Sequence, residues 1–125
     1  MGVFMKLINS NEIIIKKSRF LGFYYEIENS KEADIILESL KKAHKKARHF
    51  PFAYKVNGTA RKSDDKEPSG TAGMPIYTVL ERKKQENILV VVIRYFGGIK
   101  LGAGGLFRAY MECANKVIEE SSIDK

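Results

Sequence analysis

The sequence predicts an α+β domain, a two-layer α/β sandwich whose elements run in the order ββαβαβα. Three observations predict it. Residues 88–93, Ile-Leu-Val-Val-Val-Ile, form an unbroken apolar run, the pattern of a central strand buried on both faces. Segments 33–47 and 106–118 each carry apolar residues along one stripe at helical spacing. Segments 12–17 and 20–27 are rich in β-branched and aromatic residues, as strands are. Helices packed on one face of a mixed sheet are the arrangement expected of such an order.

The first two strands, 12–17 and 20–27, read as a hairpin with a break near Ser18 and Arg19. Asn29 is placed to cap a helix, with Glu32 completing a capping box. Along that helix Ala33, Ile36, Leu37, Leu40, Ala43, His44 and Ala47 share a stripe, which leaves Lys41, Lys42, Lys45 and Lys46 toward solvent. Residues 50–56 read as a third strand, Asn57-Gly58 as a turn, and 59–73 as an exposed polar loop. A short helix is expected within 71–83, because Pro75 suits a first turn and Ile76, Val79 and Leu80 match helical spacing. Ser69 or Thr71 would cap it. The buried strand, 87–96, leads through a glycine-rich loop to a closing helix with Leu106, Ala109, Tyr110, Cys113, Ala114, Val117 and Ile118 on its apolar face.

A chain of 125 residues with 44% apolar and 30% charged residues is the size of one domain, expected here to span 1–125. No apolar run approaches the roughly 18 residues that cross a bilayer. Residues 1–6 lack the basic-then-apolar pattern of a secretion signal, so the expected location is cytoplasmic, away from membranes. One cysteine, Cys113, rules out an internal disulfide or a cysteine-pair metal site, and His44 and His49 are too few for a zinc cluster. No metal and no cofactor is expected.

The net charge of +7 lies wholly in the first half: residues 1–62 hold 13 basic and 6 acidic side chains, residues 63–125 nine of each. Between Lys41 and Lys62, eight bases occur with no acid: Lys41, Lys42, Lys45, Lys46, Arg48, Lys55, Arg61 and Lys62. Such density suits a polyanion, since each phosphate neutralised releases counterions. A solvated helix face is the plainer reading.

Two further segments are candidates for chemistry. The run Arg94-Tyr95-Phe96-Gly97-Gly98-Ile99-Lys100-Leu101-Gly102-Ala103-Gly104-Gly105-Leu106 places a glycine-rich backbone between a strand and a helix, a potential anion site. It matches neither nucleotide template: no Gly-Lys-Ser/Thr stands at P-loop spacing, and Phe107 stands where a dinucleotide loop needs its third glycine. Its glycines also suit a tight turn and close helix-to-sheet packing, and Arg94 would then pair with a carboxylate. In the run 63–73, Asp64, Asp65 and Glu67 are candidates for a hard cation or an acid/base pair, against capping, loop ordering or pairing with the basic region. His49, beside Arg48 at a strand entrance, and His44, on the apolar edge of the first helix, read as packed or surface histidines, and Cys113 reads as a buried apolar residue. Phe50, Phe52, Tyr54, Tyr95 and Phe96 are core candidates by alternation, and any left exposed on the sheet can stack bases.

Together these blocks resemble a known family. Lys17-Ser18-Arg19-Phe20, Ala47-Arg48-His49 with Ala53-Tyr54, Asp64-Asp65-Lys66-Glu67-Pro68-Ser69-Gly70-Thr71-Ala72-Gly73-Met74-Pro75, and Val91 through Gly102 followed by Gly104-Gly105-Leu106 are similar in order and spacing to the N-terminal domain of the IMPACT/YigZ family. The resemblance covers about residues 15–120. It implies a fold like domain two of ribosomal protein S-five and domain four of elongation factor G, which contact RNA or the ribosome. It implies no catalytic residues. Eukaryotic members are translational regulators that bind the co-activator of an amino-acid-starvation kinase; prokaryotic members are uncharacterised proteins for which nucleic-acid binding is expected. The motif surface carried over is Arg19, His49, Asp64, Asp65, Glu67, Gly70, Thr71, Arg94, Gly97, Gly98, Lys100, Gly102, Gly104 and Gly105. Pro51 stands where members commonly have cysteine, which weakens a cysteine mechanism, and Lys66 stands where they have glycine. Neither the ferredoxin-like second domain of prokaryotic relatives nor the RWD domain of eukaryotic ones is expected within 1–125.

The leading expectation is a non-catalytic module that binds RNA or the ribosome and regulates translation, through Lys41, Lys42, Lys45, Lys46, Arg48, Arg61 and Lys62. The alternatives are a protein-interaction regulator of translation-stress signalling, and a hydrolase or phosphate-handling enzyme using Asp64, Asp65, Glu67 and the glycine-rich loop. A monomer or weak homodimer is expected.

Overall fold

Strands β1 (Lys6–Ile15) and β2 (Ser18–Glu26) form an antiparallel hairpin. Its turn is Lys16-Lys17, at φ 49° and 69°, the left-handed pair that a two-residue hairpin needs to follow the strand twist. The break expected at Ser18 and Arg19 therefore falls two residues earlier, and Ser18 is a fully buried strand residue. The computed structural model describes residues 6–121, so most of the 1–6 segment read for a secretion signal, and residues 122–125, lie outside the described residues.

Helix α1 (Ser30–Ala43) starts as its capping signal predicts: the Asn29 side chain accepts the Glu32 N–H at 3.0 Å. The Glu32 carboxylate reaches one residue beyond the cap and accepts the Glu28 N–H at 2.8 Å. The helix ends at Ala43, short of the expected Ala47, so Lys45 and Lys46 are presented by a turn and not by a helix face.

Next come β3 (Phe52–Val56) and β4 (Thr59–Ser63), joined by Asn57-Gly58 at φ 51° and 75°. Residues 59–63, expected in an exposed loop, are thus a strand. Thr-Ala-Arg-Lys-Ser is a polar, charged edge strand, a composition that protects an unpaired edge and also hides it from a hydrophobicity reading. Helix α2 (Gly73–Arg82), strand β5 (Ile88–Tyr95) and helix α3 (Gly102–Ser121) follow. The short helix with Pro75 in its first turn is as expected. The glycine-rich loop is shorter than expected, since Gly102, Gly104 and Gly105 already belong to the first turn of α3.

The α+β class holds, and the order becomes ββαββαβα. The sheet order is β1-β2-β5-β3-β4, with every neighbouring pair antiparallel and not mixed. As expected, β5 is buried on both faces, because strands flank it and helices cover both sides. On one face α2 and α3 pack over Phe20, Tyr24, Ala53, Val90 and Val92. On the other, α1 packs Ala33, Ile36, Leu37 and Leu40 over Phe52, Tyr54, Val56, Leu89, Val91 and Ile93. The helices therefore divide between the two faces, where one face was expected for all three.

Candidate functional site

The carboxylate loop and the glycine-rich loop meet at one point, the Glu67–Arg94 pair. Arg94 ends the buried part of β5, with its side chain on the α3 face. Its Nε and Nη2 donate to the two Glu67 oxygens at 2.5 and 2.9 Å, and both residues are buried. Such a two-pronged pair is short and directional. The Tyr110 hydroxyl, from α3, donates to the same carboxylate. Burial, then the Glu67 charge, push the Tyr110 phenol well above its ordinary range. For Arg94, burial alone would lower the pKa, and the Glu67 contacts outweigh it to raise it. Ser18 Oγ accepts from Arg94 Nη1 at 3.5 Å and from the Gly97 N–H at 3.2 Å. Tyr110 was read only as a stripe residue, and Ser18 as a break and as part of a motif block without a role of its own. A tyrosine on an otherwise apolar stripe carries a polar handle that needs a partner, and that was the signal available.

The two aspartates do structural work beside it. Asp64 accepts backbone N–H groups from Gly70, Ala72 and Gly73 at 2.9, 3.1 and 2.8 Å. It therefore serves the start of α2, where Ser69 or Thr71 was expected, and Ala72 has no side-chain cap of its own. Partial burial would raise the Asp64 pKa, but these N–H groups and the Lys62 charge outweigh it and hold the carboxyl below its ordinary value. Asp65 accepts the Phe50 N–H at 2.7 Å, and its carbonyl accepts from His49 Nδ1 at 3.0 Å. His49 Nε2 lies 3.9 Å from Glu67. Thr71 is buried, its hydroxyl donating to the Pro68 carbonyl at 2.6 Å. No group of three or more His, Cys, Asp or Glu among the described residues is placed to hold a metal ion. Cys113 is buried, and desolvation pushes its thiol up to about 12.

Above the Glu67–Arg94 pair lies a cavity of about 310 Å³, lined by Pro68, Phe96, Lys100, Leu101, Gly102, Ala103 and Leu106. Next to Phe96, Gly97 presses on the β1–β2 turn, where an added Cβ would stand 2.0 Å from the Lys17 carbonyl oxygen. Arg19 does not join this group: it lies on the other face, 2.7 Å from Glu12 and over the Tyr95 ring.

The basic residues gather elsewhere. Lys41, Lys45, Arg48 and Lys66 line an open cleft of about 330 Å³ at the end of α1, together with His44, Ala47, Phe50 and Asp65. A neighbouring cleft of about 340 Å³ is lined by Lys41, Arg61, Phe52 and the acids Asp34, Glu38 and Asp65. Among the described residues, Lys41, Lys42, Lys45, Lys46, Arg48, Arg61 and Lys66 form no ion pair, whereas Lys55 is held by Glu81 and Glu86. Lys62 is carried to the opposite face, over the Tyr77 ring of α2. Lys66, read as a departure from the motif, joins the basic cleft.

Comparison with known proteins places these features in a setting. The profile of the Impact N-terminal domain matches residues 16–118. The chain is 43% identical over 109 residues to the IMPACT family member YvyE of Bacillus subtilis, covering 85% of this chain and 50% of that protein. It is 37% identical over 111 residues to the IMPACT family member YigZ of Escherichia coli, covering 85% and 54%. The chain spans about half the length of the curated relatives it matches. A crystal structure of a hypothetical protein superposes with a TM-score of 0.87 at 33% identity, covering 96% of this chain and 62% of that one. A two-domain translational regulator superposes at 0.55 with 24% identity, over 100% of this chain and 50% of that one, a likeness of fold alone.

Proposed function

The chain belongs to the Impact N-terminal domain family, and from that premise we propose that it is a non-catalytic, cytoplasmic binding module that contacts RNA or the ribosome and takes part in regulating translation. One observation carries the reading: bases from the end of α1, the following turn, β4 and the 64–67 loop converge on adjoining clefts without ion-pair partners among the described residues. Cations left unneutralised by the protein are available to phosphates, and binding them releases the counterions of the nucleic acid. Non-catalysis is supported by the engagement of Asp64, Asp65 and Glu67 with backbone N–H groups, Arg94 and Tyr110. Translation as the setting draws on the description of the two-domain relative.

A second reading, docking of a protein partner, is favoured by the outer face of α1, where Ile35 is exposed among Asp34, Glu38, Ser39 and Lys42 around a shallow depression of about 430 Å³. Mixed contacts of that kind depend weakly on salt. Titration against structured RNA, single-stranded RNA and ribosomal subunits at two salt concentrations separates the two. Five phosphate contacts would give a slope of about −4 in log K against log salt. The variant Lys41→Glu/Lys45→Glu/Arg48→Glu should weaken binding across sequences alike, since phosphate contacts position without specifying. No binding at low salt would move the assignment to the protein partner.

A further inference from the structure

Helix α1 covers only part of its face of the sheet. Its apolar residues cluster with those of β3 and β5, and Leu21, Phe23 and Tyr25 of β2 pack against the rim of that cluster while staying partly exposed. The strand register places Leu7 and Ile14 of β1 and Phe23 and Tyr25 of β2 together on the β1–β2 half of that face, with Ile14 65% exposed. Phe23, Tyr25 and Tyr95 are each partly exposed.

The rings form a row. His44 stands between Tyr95 and Phe23, with ring centroids 6.0 and 5.8 Å away, and its Nδ1 lies 2.6 Å from the Tyr95 hydroxyl. Tyr25 follows Phe23 two residues along β2, a step of about 6.6 Å. At the near end the Arg19 guanidinium lies 5.1 Å above the Tyr95 ring. The same His44 lines the cleft of Lys41, Lys45 and Arg48. One histidine thus joins a row of aromatic rings to a cluster of cations that form no ion pair among the described residues.

We infer that this partly exposed half-face is a stacking platform for single-stranded RNA, an inference that rests on the RNA reading above and names the form of RNA it takes. Every base offers a flat π-face, and exposed aromatic rings beside a basic groove bind a single strand with little regard for sequence. A duplex hides those faces within its own stack, so it can use the cations but not the rings. The phosphates would run past Arg48, Lys45 and Lys41 while successive bases lie on Phe23, on Tyr25 and on the Arg19 guanidinium that covers the Tyr95 ring. Tyr95 and Phe23 flank the histidine that lines the basic cleft, and the aliphatic Leu7 and Ile14 lie on the outer strand, which favours a polyanion with flat faces over a purely apolar partner.

The test is a fluorescence-anisotropy titration of the unaltered chain with oligouridylate and with a blunt RNA hairpin of equal length. Phe23→Leu, Tyr95→Leu and the double variant, which keep apolar volume under the sheet, are titrated alongside, with melting curves to verify folding. Single strand is expected to bind at least tenfold tighter than hairpin, with about a tenfold loss per ring removed and no comparable loss for hairpin. In the unaltered chain, oligouridylate should shift the ring-proton NMR signals of Phe23, Tyr25 and Tyr95, a readout that does not depend on the variants folding. Equal affinity for both RNAs with those signals unmoved overturns the platform and leaves the RNA function standing. Ribosome binding abolished by the ring variants, with oligouridylate titrations flat, assigns the face to a protein and also overturns it. Absence of binding to any RNA or subunit at low salt defeats both readings together.

Discussion

Glu67 sits where Arg94, Tyr110 and His49 converge, and the two motif loops depend on its charge. Removing one partner of a buried ion pair leaves the other uncompensated, so Glu67→Gln should lower unfolding stability by about 3–5 kcal/mol in urea denaturation. Tyr110→Phe removes only one charge-assisted hydrogen bond and should cost about 1.5–3 kcal/mol. Asp64 gives a pH-dependent effect. Its folded-state pKa lies below the ordinary 3.8, so its stabilisation is present above that value and is lost as pH falls through the folded pKa. The stability gap between the unaltered chain and Asp64→Asn should therefore be full at pH 7 and close in acid, as denaturation at a series of pH values would show. Asp64, Asp65 and Glu67 were all legible as a cluster worth weighing. Capping and loop ordering, the use Asp64 has, were among the readings weighed, as was a carboxylate partner for Arg94; that Glu67 is this partner was not legible, because the two stand 27 residues apart.

At the scale of elements, the most constrained contact is between the β5–α3 loop and the β1–β2 turn. Gly97→Ala would put a Cβ 2.0 Å from the Lys17 carbonyl oxygen and 2.6 Å from the Ser18 nitrogen, both backbone atoms that cannot rotate away. We expect a loss of about 3 kcal/mol, at the upper end of overpacking effects. Gly58 provides the contrast: at φ +75° with open space around it, alanine there meets only the strain of a left-handed residue, about 1 kcal/mol. Thermal melts of the two variants should separate them clearly. Where a local rule settled an element it was legible: Asn29 before α1, Pro75 inside α2, and the apolar run of β5. β4 was missed because its five residues are held by pairing with β3 and not by any burial of their own.

For the molecule as a whole, β5 is flanked by β2 and β3 and covered on both faces, and β1 and β4 are edges. Its amides should exchange with solvent most slowly, near the global unfolding limit, and those of β4 much faster, in a native-state hydrogen-exchange experiment. The sequence by itself determined the α+β class, the buried central strand, the amphipathic stripes and the charge asymmetry, because each is written in periodicity or composition within a short window. Tertiary structure alone decided that α1 lies opposite α2 and α3, since a helical stripe states that it needs a cover but not which face supplies it. The same level decided that Lys62 leaves the basic cluster while Lys66 enters it, because strand alternation and a loop's path set which side of the sheet a charge reaches. It also decided that Glu67 and Arg94, 27 residues apart, become one buried pair. Proximity across that separation arises only once the sheet has formed.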